Sequence, residues 1–328
     1  MMMCSREVGD GPMTGETNRG ALATEAVRSG GLDLGATSTP LLVAMMADDL
    51  ADVQAAVRGA SEAIARAIDR IVARMRARGR LIYLGAGTSG RLALMDAAEC
   101  VPTFATGPGQ VVALLAGGAQ AAGSAVEGAE DDPLEAQRLL AELKLGPLDA
   151  VVGLSASGVT PFVLGGVAKA AEVGALTVGI SCNAGSALSS AAEIAIELLV
   201  GPELIAGSTR LKSGTAQKVV LNAISTITMV RLGKTYRNLM VDVRPTNAKL
   251  RNRSARIVGV ITGAGERAVL EALRAADGDT KAAIVMIRNG LPPAAARALL
   301  QECQGSLRAA LGEDGQPPPL EPHACHDE

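Results

Sequence analysis

Residues 81–91 read LIYLGAGTSGR and run on into LALMDAAEC. An apolar run that breaks into Gly85, Gly87 and Gly90 and continues as an alanine- and leucine-rich stretch predicts a strand, a tight turn and a helix. The glycine spacing is that of the dinucleotide fingerprint, in which the backbone approaches a pyrophosphate at a helix N-terminus. The same glycines suit any tight strand-to-helix turn, so the rest of the chain must decide. Further strand-like runs follow at VVALLAG, AVVGLSA, LTVGISC and IAIELLV, mostly separated by alanine-rich helical segments. Strands alternating with helices predict an α/β fold, here five parallel strands within about residues 80–200, covered on both faces.

Outside this region the periodicity is helical. From Thr39 to Met75 apolar residues recur at helical spacing and imply two helices. The stretch LKSGTAQKVVLNAISTITMVRLG predicts one long helix with Val219, Val220, Ile224, Ile227 and Val230 on its buried face. After Leu250 the pattern is wholly helical. The expected organisation is a disordered N-terminus (1–22), an N-terminal helical segment (23–62), an α/β domain (63–245), a small helical C-terminal domain (246–312) and a disordered tail (313–328).

Composition excludes several function classes. The 328 residues include no Trp, two Tyr and two Phe, so the core must be aliphatic and stacking on bases is not expected. A net charge of −3, with basic residues spread along the chain, gives no footprint for nucleic acid or anionic lipid. The most apolar stretch, LSSAAEIAIELLVG, is interrupted by Glu193 and Glu197, so no membrane span is expected. The N-terminus MMMCSREVGD lacks the apolar centre of a signal peptide, which makes the cytoplasm the expected location. Five cysteines without a C-x-x-C pair read as reduced thiols. The two histidines, His323 and His326, stand in the tail EPHACHDE, which reads as solvated, and no metal site is expected. Proton transfer in the folded body therefore falls to carboxylates, Lys, Cys or Tyr.

A dinucleotide site needs an acidic residue at the end of the second strand to hold the ribose hydroxyls. VVALLAG leads instead into Ala116, Gly117 and Gly118. A different anion site emerges at GLSASGVTPF. Strand AVVGL gives way to Ser155, Ala156, Ser157, Gly158, Val159 and Thr160, and Pro161 starts a helix where its missing N–H costs nothing. Three hydroxyls and several free amides converging at a positive helix end form a phosphate cradle. The plainer alternative is that Thr160 caps the helix and the serines make a turn. The loop has no Lys and no G-K-[ST], so a single phosphomonoester on a sugar suits it better than a nucleoside triphosphate.

The segments GRLIYLGAGTSGRLALMDAAECVPTF, AVEGAEDD, GLSASGVTPF, ISCNAGS, GPELIAGSTRLKSGTAQK and NLMVDVRPTNAKLRNR together resemble the N-acetylmuramic acid 6-phosphate etherase family of the sugar isomerase (SIS) fold. The resemblance runs from about Thr37 to Leu311. It implies a three-layer SIS domain and a cofactor-free lyase acting on MurNAc 6-phosphate, in which the open-chain sugar loses its C2 proton, D-lactate leaves from C3 and water adds back. Glu99 in DAAEC matches the family's general acid, and Glu130 in EGAED its second catalytic glutamate, described as the base. Thr88 and Ser89 belong beside Ser155, Ser157, Gly158 and Thr160 at the sugar phosphate. Lys212 is a candidate for the lactyl carboxylate, with an ordinary solvated lysine as the alternative, and Glu203 is a candidate for the sugar. Relatives of this fold commonly form homodimers with sites near the subunit interface, so a homodimer is expected.

The residues are compatible with that reading on their own terms. Eliminating an ether needs a base for a carbon acid and an acid for the departing oxygen, and two carboxylates in different surroundings serve both. Glu99, between an apolar helix and Cys100, Val101 and Pro102, has a setting that would desolvate it and raise its pKa; the alternative is a surface carboxylate at the helix C-terminus, which the helix dipole opposes. Glu130 stands in a charge run with Glu127, Asp131 and Asp132 that otherwise reads as a solvated face, and the resemblance, not spacing, selects it. The N-terminal TEAVRSGGLDL keeps Thr24, Glu25 and Asp33 of the family's T-E-x-x-N pattern but lacks its Asn, and Ala206 replaces the common Thr before GSTR. A sugar phosphate isomerase and a non-catalytic sugar phosphate-binding regulator of the same fold are the competing readings.

Overall fold

The computed structural model describes residues 22–30, 33–243 and 247–313. The N-terminus to residue 21 and the tail from residue 314, with both histidines, lie outside the described residues. Glu313, expected in the disordered tail, instead accepts a hydrogen bond from the Tyr236 hydroxyl.

A 3-10 turn (Ala23–Glu25) precedes α1 (Thr39–Gly59) and α2 (Ser61–Arg76), the two helices the spacing predicts. In α2, Ile64, Ala67, Ile68, Ile71, Val72 and Met75 recur every three or four residues and are buried, which is what holds this face to the sheet. The α/β alternation follows: β1 (Leu81–Gly85), α3 (Gly87–Phe104), β2 (Val111–Leu115), α4 (Gln120–Gly123), α5 (Pro133–Glu142), β3 (Ala150–Leu154), α6 (Pro161–Val173), β4 (Leu176–Ser181), α7 (Ala187–Ala191) and β5 (Ile194–Glu197). The five strands form one parallel sheet in the order β2-β1-β3-β4-β5. The chain leaves β1 to one side for β2 and returns to the other for β3, so a topological switch point lies between β1 and β3.

Successive side chains point to opposite faces of a strand, and both faces here are apolar. Leu81, Tyr83, Val152, Leu154, Val178 and Ile180 pack with α2, α3 and α8 (Lys212–Arg231), while Ile82, Leu84 and Val151 pack with α5, α6 and α7. This is the three-layer sandwich expected. The long helix α8 departs from expectation in one respect. Val220 and Ile224 are fully buried, but Val219, Ile227 and Val230 are exposed, because α8 buries Ala216, Leu221 and Met229 beside them and turns a second apolar face outward.

A hairpin that the sequence reading missed, β6 (Thr235–Tyr236) and β7 (Leu239–Met240), leads into α9 (Ala248–Thr262), α10 (Glu266–Ala275), α11 (Thr280–Asn289), α12 (Pro293–Glu302) and α13 (Leu307–Ala310). These helices share their own core around Ile257, Val258, Val269, Ile284, Val285 and Leu300. The buried Lys281 joins the parts: its Nζ donates to Gly233 O (2.9 Å), Gly305 O (2.7 Å) and Asp242 Oδ2 (2.9 Å). Elsewhere Arg80, just before β1, pairs with Asp149, just before β3, and also donates to Leu143 O and Lys144 O. Among the described residues no helix is long and apolar enough to cross a membrane.

Candidate active site

Open α/β sheets bind ligands outside the carboxyl ends of their strands at the switch point. A pocket of about 450 Å³ opens there, lined from the β1 side by Ala86, Gly87, Thr88 and Ser89 and from the β3 side by Ser155, Ala156, Ser157, Val159 and Thr160. Glu25, Glu130, Asp131 and Thr209 complete the rim.

The glycines of the opening motif serve this geometry. Gly87 takes φ +51°, which turns the chain from β1 into α3. A Cβ on Gly90 would lie 2.5 Å from Gly85 O, so this glycine lets helix and strand pack in contact. In the loop after β3, Gly158 has φ +76°, and a Cβ there would lie 2.3 Å from that of Ser186. No other residue fits.

The three hydroxyls converge as expected. Ser155 Oγ lies 2.7 Å from Thr160 Oγ1 and 3.2 Å from Ser157 Oγ, and accepts from Gly158 N at 3.0 Å. Thr160 makes no side-chain cap to α6, so its hydroxyl is not spent on the helix as the plainer alternative requires. α3 also starts without a side-chain cap, whereas α5 and α7 are capped by Asp132 and Ser186. The helices that open on the pocket therefore keep first-turn amides for a ligand, where the dipole favours an anion. Among the described residues neither Lys nor Arg lines this pocket.

The charge run EGAEDD separates in space. Glu127 lines only an adjoining pocket, Asp132 caps α5, and Glu130 and Asp131 face the phosphate-loop pocket. Glu130 and Asp131 thus stand at this pocket and Glu127 does not.

Three candidates lie elsewhere. Glu99 is exposed in the single chain, as the surface alternative has it; α3 continues through Pro102 to Phe104, and the buried carboxylate on this helix is Asp96. Asp96 accepts from Tyr83 Oη (3.1 Å), Lys218 Nζ (3.2 Å) and Ser225 Oγ (3.3 Å), a network that pins α3 to α8. Burial, with the Asp96 charge beside it, pushes the Tyr83 phenol well above its ordinary range. Glu203 is fully buried and accepts from Lys212 N, Ser213 N and Ser213 Oγ, which makes it the cap of α8 rather than a sugar ligand. Lys212 is buried with its Nζ on Asp52 Oδ2 at 2.7 Å, and neither residue lines the pocket.

Sequence reasoning quoted ISCNAGS without giving Asn183 a role. Asn183, 4% exposed, donates from Nδ2 to Ala156 O, Ser157 O and Thr24 Oγ1, bracing the phosphate loop from behind and seating the N-terminal segment on it. Thr24 is fully buried, and Arg28 anchors the same segment through Asp49 and Pro202 O. Gln217 was missed too: its Oε1 accepts from Ser89 Oγ at 2.8 Å. An amide directly after a strand or in the first turns of a helix is the signal that would have marked both. Among the described residues no group of three or more His, Cys, Asp or Glu comes together as a metal site.

Residues 63–171 match the family described as the glucokinase regulatory protein N-terminal SIS domain. The chain is 58% identical over 233 residues to N-acetylmuramic acid 6-phosphate etherase from Streptomyces coelicolor, covering 71% of this chain and 75% of that one. It is 52% identical over 298 residues to the protein of the same name from Rubrobacter xylanophilus, covering 91% and 98%. Among solved structures, a phosphoheptose isomerase from Neisseria gonorrhoeae is similar at 18% identity and a TM-score of 0.46, covering 58% of this chain and 98% of that one.

Proposed function

The chain belongs to the N-acetylmuramic acid 6-phosphate etherase family, and on that premise we propose that the crevice between β1 and β3 holds the sugar, its phosphate on the Ser155–Thr160 loop and its C2–C3 edge toward Glu130. The reaction is that of a carbon–oxygen lyase, which cleaves the lactyl ether of N-acetylmuramic acid 6-phosphate to give N-acetylglucosamine 6-phosphate and D-lactate. The observation that carries the placement is the convergence of the Ser155, Ser157 and Thr160 hydroxyls at the uncapped start of α6.

Charge orients the substrate. Among the described residues the pocket rim carries Glu25, Glu130 and Asp131 and no cation, so a phosphate dianion is held by amides, hydroxyls and helix dipoles at the loop, away from the carboxylates. Glu130 then faces the sugar carbons. It takes the C2 proton, the C3–O bond breaks with its electron pair going to oxygen, and an acid protonates the departing lactyl oxygen. Water adds to C3 of the unsaturated aldehyde and a proton returns to C2.

Glu99 is twelve residues beyond Gly87 along α3, about 18 Å at 1.5 Å per residue, too far to serve its own chain's pocket. A homodimer resolves this by bringing Glu99 of a second copy to the crevice. The outward apolar residues support it: Leu94, Met95 and Val101 on α3, and Val219, Ile227 and Val230 on α8, sit exposed on helices that pack together. The proposed location is the cytoplasm.

The test is release of D-lactate from the 6-phosphate by the purified chain. Equal turnover of unphosphorylated MurNAc would refute the cradle, and ketose formation from an aldose phosphate without lactate would favour the isomerase reading.

A further inference from the structure

A second cavity, of about 720 Å³, lies at the far end of α8, where the sheet domain meets the C-terminal helices. Its walls include Arg76 from α2, Arg231 at the end of α8, Arg237 in the hairpin turn and Arg308 in α13, and among the described residues no Asp or Glu. In a chain whose acidic residues outnumber its basic ones, 34 to 31, four arginines around one cavity form a local field opposite to the whole. Among the described residues none of the four makes an ion pair. The nearby carboxylates are already engaged: Asp242 with Lys234 and Lys281, and Glu313 with Tyr236 Oη and Arg288.

Three of the four arginine side chains are held in place. The guanidinium carbons of Arg237 and Arg308 lie 5.4 and 5.9 Å from the centre of the same Tyr236 ring. A guanidinium held on a ring keeps its in-plane N–H donors, and loses less freedom on binding an anion than a loose side chain does. Arg76 Nη2 donates to Arg231 O at 2.9 Å, which ties α2 to the end of α8. Arg237 (φ +53°) and Gln304 (φ +52°), both on the cavity wall, adopt left-handed backbone conformations uncommon outside glycine. Lys281 staples Gly233, which lines the cavity, to Gly305, which stands between the lining residues Gln304 and Ser306.

Arg237 and Arg308 share the Tyr236 ring, whose hydroxyl holds the Glu313 carboxylate outside the described cavity walls, and the four cations on those walls repel one another until an anion enters. A phosphomonoester brings a charge of about −2 at most, and four guanidinium groups are matched better by an anion of higher charge. We propose that this arginine cavity is a second anion site, separate from the phosphate loop, which binds a small molecule carrying a diphosphate or two phosphate groups and bridges the two domains.

Inorganic pyrophosphate is the probe, titrated calorimetrically against the full chain. Binding that weakens about tenfold or more in R237Q/R308Q, yet persists in S155A/S157A, supports the site. Binding that survives R237Q/R308Q but fails in S155A/S157A belongs to the phosphate loop and overturns the proposal. So does no binding at millimolar pyrophosphate, or binding of RNA or of a second copy that depends on these arginines while pyrophosphate is ignored. If R237Q/R308Q does not fold, R76Q/R231Q replaces it, because both side chains stand at the surface. Lactate release by the arginine variants checks that the chain is intact, since none of these arginines lines the crevice between β1 and β3.

Discussion

Asn183 donates from its side-chain amide to the hydroxyl of Thr24 at 3.1 Å, joining residues 159 positions apart directly behind the phosphate loop. The same amide reaches the carbonyls of Ala156 and Ser157, so one side chain fixes both the loop and the segment laid over it. Asn183→Ala leaves these buried acceptors without their donor. It should cost about 1–3 kcal/mol of stability and raise KM more than it lowers kcat. Urea denaturation alongside substrate titration checks this, and unchanged values in both would show that the brace is idle.

Removing the cradle hydroxyls should weaken substrate binding without unfolding the chain. Ser155→Ala with Ser157→Ala deletes two potential bonds to a charged group, about 3 to 6 kcal/mol in total, read as a rise in KM. Gly158→Ala is expected to be harsher. Its φ and the contact with Ser186 leave no room, so the loop must move and the thermal midpoint should fall as well.

Glu99→Gln and Glu130→Gln should each lower kcat by about 10² to 10⁴. If each crevice draws Glu99 from a second copy, mixing the two inactive variants after unfolding and refolding restores about a quarter of the sites, because half the dimers are mixed and each mixed dimer has one complete site. No recovery, or light scattering that shows an active monomer, would contradict the shared site. In deuterated water Glu99→Gln should still exchange the C2 hydrogen, whereas Glu130→Gln should not.

Acid should attack the Arg80–Asp149 pair. Burial alone would raise the Asp149 pKa, but the hydrogen bonds from the Arg80 side chain, Gly146 N and Arg80 N, with the Arg80 charge, outweigh it and hold the carboxyl below 3.8. A depressed carboxyl pKa contributes stability above the unfolded value that is lost as pH falls through the folded one. Asp149→Asn should therefore lower stability at pH 7 and flatten its decline below about pH 4. An unchanged acid limb would assign that decline to other groups.

Burial pushes the thiols of Cys100 and Cys182 up to about 12. At pH 8.5 both should stay protonated and resist iodoacetamide in the folded chain, while the half-buried Cys303 is labelled. Peptide mass spectrometry reads the outcome, and early labelling of Cys182 would mean that the region around Ser213 opens.

The sheet was legible because its strands are short apolar runs bounded by glycine and polar residues, and the cradle because its hydroxyls are adjacent in the chain. The hairpin at Tyr236 was not legible, since two residues per strand carry no periodicity. Glu203 and Lys212 misled for a physical reason. Charged residues near the start of a long helix read as ligand contacts, yet one caps that helix and the other is neutralised by Asp52, a partner 160 positions away. Glu99 shows the same limit at a larger scale under the proposed dimer, because a residue that acted across an interface would have no neighbour in its own chain to announce it.

The sparse aromatic composition has an optical consequence. With no tryptophan, ultraviolet emission comes from Tyr83, sealed beneath α3 and α8 beside Asp96, and Tyr236, at the arginine cavity. Each chromophore thus sits in a different packing unit. A Tyr83→Phe chain becomes a single-fluorophore reporter of the domain junction, and a Tyr236→Phe chain one of the sheet interior, so the order in which the two regions loosen on heating can be followed without any attached dye.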